Sequence, residues 1–339
     1  LSVSTGTLPF LTGLAYVDDD KETLTIEQFF LSSPGGEAEL VCHLDRLFNR
    51  FTYLCTFNGK SYDVPLIKNR FALQRSTMKV FAHHFDLLHI YRRMFPKDFP
   101  GGFRQKNLEA SLLQTGQMQG RGEDIDGADI PGIYFDWVKY GIDRGLSKIA
   151  EHNELDMHGM VALYALAARL FHEHRTFTNS KPGNTSTQIR IGRILFRNQQ
   201  YKEAVSMLEP LMRTTVNEND SRILLTTLHQ SYTSLGRYHE AGDCLFTLVE
   251  SQQSPVDLLL LLRFLEYKAK DYTKALQLIA QLQNSPQSLI GTNQIGLSVN
   301  QNRLLRLLKQ ESLERRKSRL ENKQKASIAN QSKSHNINL

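Results

Sequence analysis

Two hydrophobic rhythms divide the chain. In the first half, Phe10 to Val17 is short and apolar. Thr23 to Leu31 alternates with β-branched and aromatic residues, so the two read as neighbouring strands. Gly36 to Phe51 places Leu40, Leu44, Leu47 and Phe48 on one helical face. Phe51 to Phe57 (FTYLCTF) is a candidate buried strand, and Val64 to Leu73 returns to helical spacing with Ile67 and Phe71. Phe85 to Ile90 is a short apolar run that fits either a strand or a helix. Leu108 to Leu113 and Leu146 to Leu170 read as helices. This order predicts an α/β domain on a mixed sheet with flanking helices.

The polar stretch Ser180-Lys181-Pro182-Gly183-Asn184 ends that pattern. After Gln188 no strand rhythm is present, and Tyr201/Ala204 recur as Tyr238/Ala241 and Tyr272/Ala275, at offsets of 37 and 34 residues. A small residue three positions after an aromatic lets two helices approach closely. The period is that of tetratricopeptide repeats, so an all-α, TPR-like domain is expected, with an irregular bundle as the alternative. Such solenoids present a concave face, which predicts a protein partner on the repeats. The expected organisation is a first domain over 1–178, a linker over 179–187, repeats over 188–300 and a basic helical or disordered tail over 301–339.

Composition narrows the class. With 339 residues, 40% hydrophobic and 22% charged, the chain has room for two globular domains and is not a wholly disordered one. Cys42, Cys55 and Cys244 form no CxxC pair, so a disulfide framework and a cysteine zinc site are not expected, and a reducing cytoplasm is the expected compartment. The run Leu258 to Leu262 is far shorter than the roughly 20 residues a membrane span needs, so no membrane partner is expected. No charged segment leads into an apolar one at the start, and no secretory signal is read there. The net charge of +6 resides in the tail, where residues 301–339 carry ten Lys/Arg against three Asp/Glu. Arg315, Arg316 and Lys317 are its densest cluster, and they predict either a phosphate-rich partner or a solvated helix face.

Two features could carry chemistry. Thr56 to Leu66 runs from a strand end through a turn into a helix start, with Asp63 at the junction and Pro65 in the first turn. Asp63 is either a helix cap or a site carboxylate. His152 and Asp156 stand four apart in a helical segment, on one face, as a surface pair or as a metal ligand beside a general base.

Together with intervening blocks these residues resemble a known family. FNGKSYDVPLI (Phe57 to Ile67), HFDLLHIYRRMF (His84 to Phe95), NLEASLLQ (Asn107 to Gln114), RGEDIDGADIPGIY (Arg121 to Tyr134) and HNELDMHGMVAL (His152 to Leu163) occur in family order. The stretch from 1 to about 172 resembles the DEDD group of ribonuclease H-like 3′–5′ exonucleases, in particular its YprB-like branch. The resemblance implies a ribonuclease H-like fold and four carboxylates binding two Mg²⁺ or Mn²⁺ ions. It assigns Asp63 to the second acidic motif, Asp156 to the third and His152 to the general base. His152 stands four residues before Asp156, a spacing found in the tyrosine-type enzymes. Oxygen ligands suit hard cations, and two such ions supply a nucleophile and stabilise the leaving alkoxide.

The family's first motif, Asp-x-Glu on a strand, has no counterpart here, because no acid precedes Asp18. The resemblance therefore places that pair immediately before Leu1, and this stretch by itself is expected to be inactive. Lys60, Arg92 and Arg93 are candidate phosphate contacts, and Asp86 is either a supporting carboxylate or a structural one. The leading expectation is metal-dependent 3′–5′ hydrolysis of a single-stranded DNA or RNA end. The alternatives are a non-catalytic scaffold that binds nucleic acid or protein through the repeats, and a ribonuclease H-like endonuclease.

Overall fold

A computed structural model describes residues 7–18, 22–113, 129–172, 185–252, 254–284 and 310–335. The chain divides into two compact units, Leu1–Thr178 and Asn179–Leu339. The proposed linker core Ser180 to Asn184 and the acids Glu123 and Asp124 lie outside the described residues.

The first unit is mixed α/β. Strands β1 (Leu11–Asp18) and β2 (Thr23–Phe30) pair antiparallel, Leu11 opposite Phe30 and Asp18 opposite Thr23. Helix α1 (Glu37–Arg50) buries Leu40, Val41, Leu44, Leu47 and Phe48, the apolar stripe that its spacing predicts. Strand β3 (Tyr53–Thr56) pairs parallel with β4 (His83–Asp86) through the crossover helix α2 (Asp63–Leu73). The ambiguous Phe85 to Ile90 run is both structures in succession: β4 ends at Asp86, and α3 (Leu87–Met94) begins at the next residue. Helices α4 (Gln105–Leu112), α5 (Ile130–Tyr140) and α6 (Leu146–His172) follow.

The expected mixed α/β unit is present, with its described strands in small sheets. Among the described residues, β1–β2 and β3–β4 are separate two-stranded sheets. The β1–β2 sheet packs with α1 and α2 around one core, where Leu31, Leu44, Phe48, Phe71 and Met78 are buried and Phe10, Leu14, Ile67 and Phe81 pack around them. An ion pair from Arg70 of α2 to the buried Glu37 ties α2 to α1, with Gln74 donating to the same carboxylate at 3.1 Å.

The second unit is helical: α7 (Thr185–Arg197), α8 (Tyr201–Leu208), α9 (Glu218–Ser234), α10 (Tyr238–Gln252), α11 (Pro255–Phe264), α12 (Tyr272–Asn284) and α13 (Gln310–His335). Tyr201, Tyr238 and Tyr272 each open a helix, and Ala204, Ala241 and Ala275 are fully buried one turn on. A Cβ on Gly192 of α7 would collide with the Leu208 side chain, so α7 and α8 approach as closely as a glycine allows. Helix α13 packs back onto this unit, with Leu313 and Leu320 inside its core. A π-helical turn, Leu265–Ala269, follows α11 and turns Leu265 and Glu266 inward together.

Candidate nuclease site

The turn between β3 and α2 is built around one buried carboxylate. Asp86 accepts the backbone amides of Asn58 at 2.8 Å and Lys60 at 3.0 Å, and its Oδ1 also caps α3 through Leu88 N–H at 3.2 Å. Gly59 lies against Thr56 with no room for a Cβ, and Asn58 adopts φ 61°, a left-handed value that asparagine tolerates. Thr56 Oγ1 and His84 Nε2 are 2.8 Å apart, linking the two strand ends. Asp86 is thus the structural carboxylate of the two readings, and it holds the turn that presents Asp63.

Asp63 is the first residue of α2, not its cap. The cap position belongs to Tyr62, and the Val64 amide is satisfied by Gly59 O at 2.9 Å. The Asp63 side chain is left exposed at a helix N-terminus, where negative charge is favoured. The protein packed around it and the Asp86 charge nevertheless raise its pKa above the ordinary carboxylate value, against the pull of its own backbone hydrogen bond. Burial, with Lys60 second, lowers the His84 pKa. Burial and Asp86 push the Cys55 thiol up to about 12, so it stays an unreactive thiol.

The second group lies on α6. His152 Nε2 is 3.4 Å from Asp156 Oδ2, and each side chain is about one-third exposed, at 30% and 33%. The helix is held in place on two sides. Gln28 of β2 donates to Ala150 O at 2.7 Å and to Asn153 Oδ1 at 3.0 Å, and Gly13 of β1 leaves the space that the Asn153 amide fills. From α4, Gln105 donates to the Asp156 carbonyl at 2.8 Å and to Glu109 at 2.9 Å. Gly159 admits the Glu109 carboxylate where a Cβ would stand.

Between the two sheets lies an apolar cavity of about 450 Å³. Gly13 to Val17 of β1 form one side and Tyr53 to Cys55 of β3 another, with Met157, Met160, Val161 and Tyr164 of α6 lining it as well. Among the described residues, β1 pairs only with β2 and β3 only with β4. Among the described residues, β1 and β3, which both line this slot, each leave one edge without a partner strand.

The remaining candidates are scattered. Lys60 is exposed in the turn before Asp63, and Arg92 and Arg93 are exposed in the last turn of α3, where cations complement the helix dipole. Arg315 and Lys317 are exposed on α13, whereas Arg316 is drawn inward to Glu266 at 3.2 Å. Among the described residues, no three His, Cys, Asp or Glu side chains converge as a metal-ligand set. Asp63 and Asp156 are oxygen donors of the type a hard cation takes, but they complete no such set alone.

Sequence reasoning missed Glu266, whose side chain is fully buried and meets Arg316, Arg319 and Lys323. Burial by itself would raise its pKa, but the three cations outweigh that cost and hold it at about 2. The signal was present: an acid beside the Leu258 to Leu262 run must be paired, although its partners lie some fifty residues away.

The family model RNase_H_2, described as RNase_H superfamily, matches residues 1–168. This part of the chain is a ribonuclease H-like superfamily domain. A Bacillus subtilis (strain 168) protein named "Uncharacterized protein YprB" is 28% identical over 291 residues, covering 81% of this chain. The chain spans 65% of the length of that relative. No solved structure matches. The ribonuclease H-like domain holds Asp63, His152 and Asp156, all within the matched range. Among the described residues, no helix is long and apolar enough to cross a membrane.

Proposed function

We propose that the ribonuclease H-like domain hydrolyses phosphodiester bonds in a divalent-metal-dependent reaction, as a 3′–5′ exonuclease on a single-stranded DNA or RNA end. The observation that supports it most is the His152 imidazole 3.4 Å from the part-buried Asp156 carboxylate, with the exposed Asp63 in the same superfamily domain. In this reading Asp63 and Asp156 would hold Mg²⁺ or Mn²⁺, which activates water and stabilises the leaving oxygen when bound. His152 takes the proton of the attacking water, a role suited to an imidazole near neutral pH.

The set needs further carboxylates, and the slot between β1 and β3 supports where they would come from. A strand seated there would pair with both free edges. An Asp-x-Glu on it would place both acids on one face, since alternate residues of a strand point the same way. The helix pairs α7–α12 are read as TPR-like repeats, on the strength of the buried alanines that follow each tyrosine.

The test is degradation of 5′-labelled single strands in Mg²⁺ or Mn²⁺ by the protein extended upstream of Leu1. Asp63→Asn and Asp156→Asn should each abolish it while circular dichroism stays unchanged. His152→Ala should slow it by roughly 10²–10⁴-fold. Full activity of both aspartate variants would overturn the assignment.

A further inference from the structure

The second unit carries two cavities whose walls are rich in arginine. The first, about 630 Å³, lies between α11 and α13 and is lined by Arg263, Arg315, Arg316 and Arg319, with the Tyr267 ring beside them. The second, about 450 Å³, lies between α7 and α9 and is lined by Arg193, Arg197 and Arg222, with the Phe196 ring. Arg315 and Arg319 are four apart on α13, and Arg193 and Arg197 are four apart on α7, so each pair shares a helix face. The two cavities are linked. Arg222, in the wall of the second, forms two hydrogen bonds of 2.7 Å to Asp257 of α11, the helix that lines the first.

The charge is not balanced locally. Among the described residues, neither cavity wall includes a carboxylate. Glu266 answers Arg316, Arg319 and Lys323 with one negative charge, and Asp257 answers Arg222. Arg263 and Arg315 remain at the first cavity and Arg193 and Arg197 at the second. Burial and the neighbouring Arg197 and Arg190 lower the Arg193 pKa, and of these cations Arg190 is paired with Asp220.

We propose that these cavities bind a single-stranded nucleic acid, with the arginines on its phosphates and the Tyr267 and Phe196 rings against its bases. Planar guanidinium forks match phosphate oxygens two at a time. Cationic walls with interspersed aromatic rings are what a base-unselective single-strand groove requires, because every base offers a π-face. A purely acidic peptide would use the charge but add nothing to the rings, of which Tyr267 already takes Lys323 at 4.6 Å and Phe196 already meets Tyr201 at 5.7 Å. The choice of nucleic acid over another polyanion rests on the nuclease reading above. The binding itself does not, since it needs no metal and no hydrolysis.

The experiment is fluorescence anisotropy of a labelled mixed-sequence 20-nucleotide strand with the full chain in EDTA, across a salt series. Arg263→Glu/Arg315→Glu and Arg193→Glu/Arg197→Glu should each weaken binding about tenfold or more. Each should also reduce the salt slope by about 0.7 for every phosphate that the variant no longer neutralises. Lys317→Glu, half that charge change and on α13 outside the cavity wall, should have less than half the effect on the logarithm of the affinity. Where a charge reversal unfolds the chain by circular dichroism, the corresponding glutamine pairs replace it and should weaken binding in the same order.

Unchanged affinity and slope in folded variants would overturn the proposal. So would equal weakening by Lys317→Glu, or competition by poly-glutamate at the same charge concentration as an unlabelled strand. If the hydrolysis assays fail while binding falls in this arginine-dependent way, the groove stands and the nuclease reading does not.

Discussion

The buried acids of the helical unit and Asp63 of the first unit are treated in opposite ways, although the first unit also has a buried acid paired with arginine, Glu37 with Arg70. In the helical unit, Glu266, Asp257 and Asp220 are buried and each meets at least one arginine, Asp220 receiving Arg190 at 2.5 Å. In the ribonuclease H-like unit, Asp63 is exposed, its pKa is raised rather than lowered, and its neighbour is another acid, Asp86. A buried paired carboxylate orders the chain around it. An exposed one whose surroundings disfavour its charge contributes little to the fold, and its placement makes sense as chemistry. The difference is drawn without reference to any activity, and it can be tested by stability alone.

The largest effect is expected at Glu266. Glu266→Ala removes the shared partner of Arg316, Arg319 and Lys323 and should cost about 3–5 kcal/mol in the second unit. The single tryptophan, Trp137, lies in α5 of the first unit, so its fluorescence reports that unit while far-ultraviolet circular dichroism is dominated by helices of both. Loss of helical signal at lower temperature with an unmoved Trp137 transition is the expected result. A shift of less than about 1 kcal/mol would show that the ion cluster is only a surface ornament of α13.

Acid should act in the same place. The Glu266 carboxyl sits at about 2 in the folded chain against an ordinary 4.5. Its contribution is therefore complete above about pH 4.5 and is lost as pH falls toward 2. The Asp63 carboxyl is raised, so it behaves in reverse: it favours the fold when protonated, and that favour is lost as pH rises through its folded pKa. Unfolding midpoints of wild type and Glu266→Gln, followed from pH 6 to 2.5, should converge at the acid end. Curves that stay parallel would remove Glu266 from the acid response.

The smallest effect should come from Asp63→Asn, and its sign is the informative part. Because ionised Asp63 is disfavoured where it lies, the neutral amide should raise the first unit's melting temperature slightly at pH 7, even as it removes a candidate site carboxylate. A clear fall would mean that Asp63 is a structural acid like Glu266, and the contrast between the units would fail.

Much of the local structure was legible along the chain. Alternation announced β1 and β2, and the Leu40/Leu44/Leu47/Phe48 stripe announced α1. Hydrophobic spacing did not single out α5, although its end signals stand in the sequence: Asp129 before it, Pro131 in the first turn and Gly141 at φ 65° after it. The Asp63 and His152/Asp156 positions were legible because their neighbours keep a recognisable order. The roles of Asp86 and Glu266 were not, since a lone acid in an apolar run shows that it must be paired but not with what.

Sequence by itself determined β1, β2, α1, β3, α2, α4 and α6, where the rhythm changes from two residues to nearly four, and where the candidate carboxylates sit along the chain. Those properties follow from side-chain spacing and turn residues, which act over a few positions. Tertiary structure alone decided that β1–β2 and β3–β4, among the described residues, form two sheets with a slot between them. It also decided that Asp86 holds the turn before Asp63, that α13 is drawn into the helical core by Leu313, Leu320 and the Glu266 cluster, and that arginines from separate helices line common cavities. Each of these depends on contacts between residues distant in the chain, where closure of the fold, and not local preference, sets which groups meet.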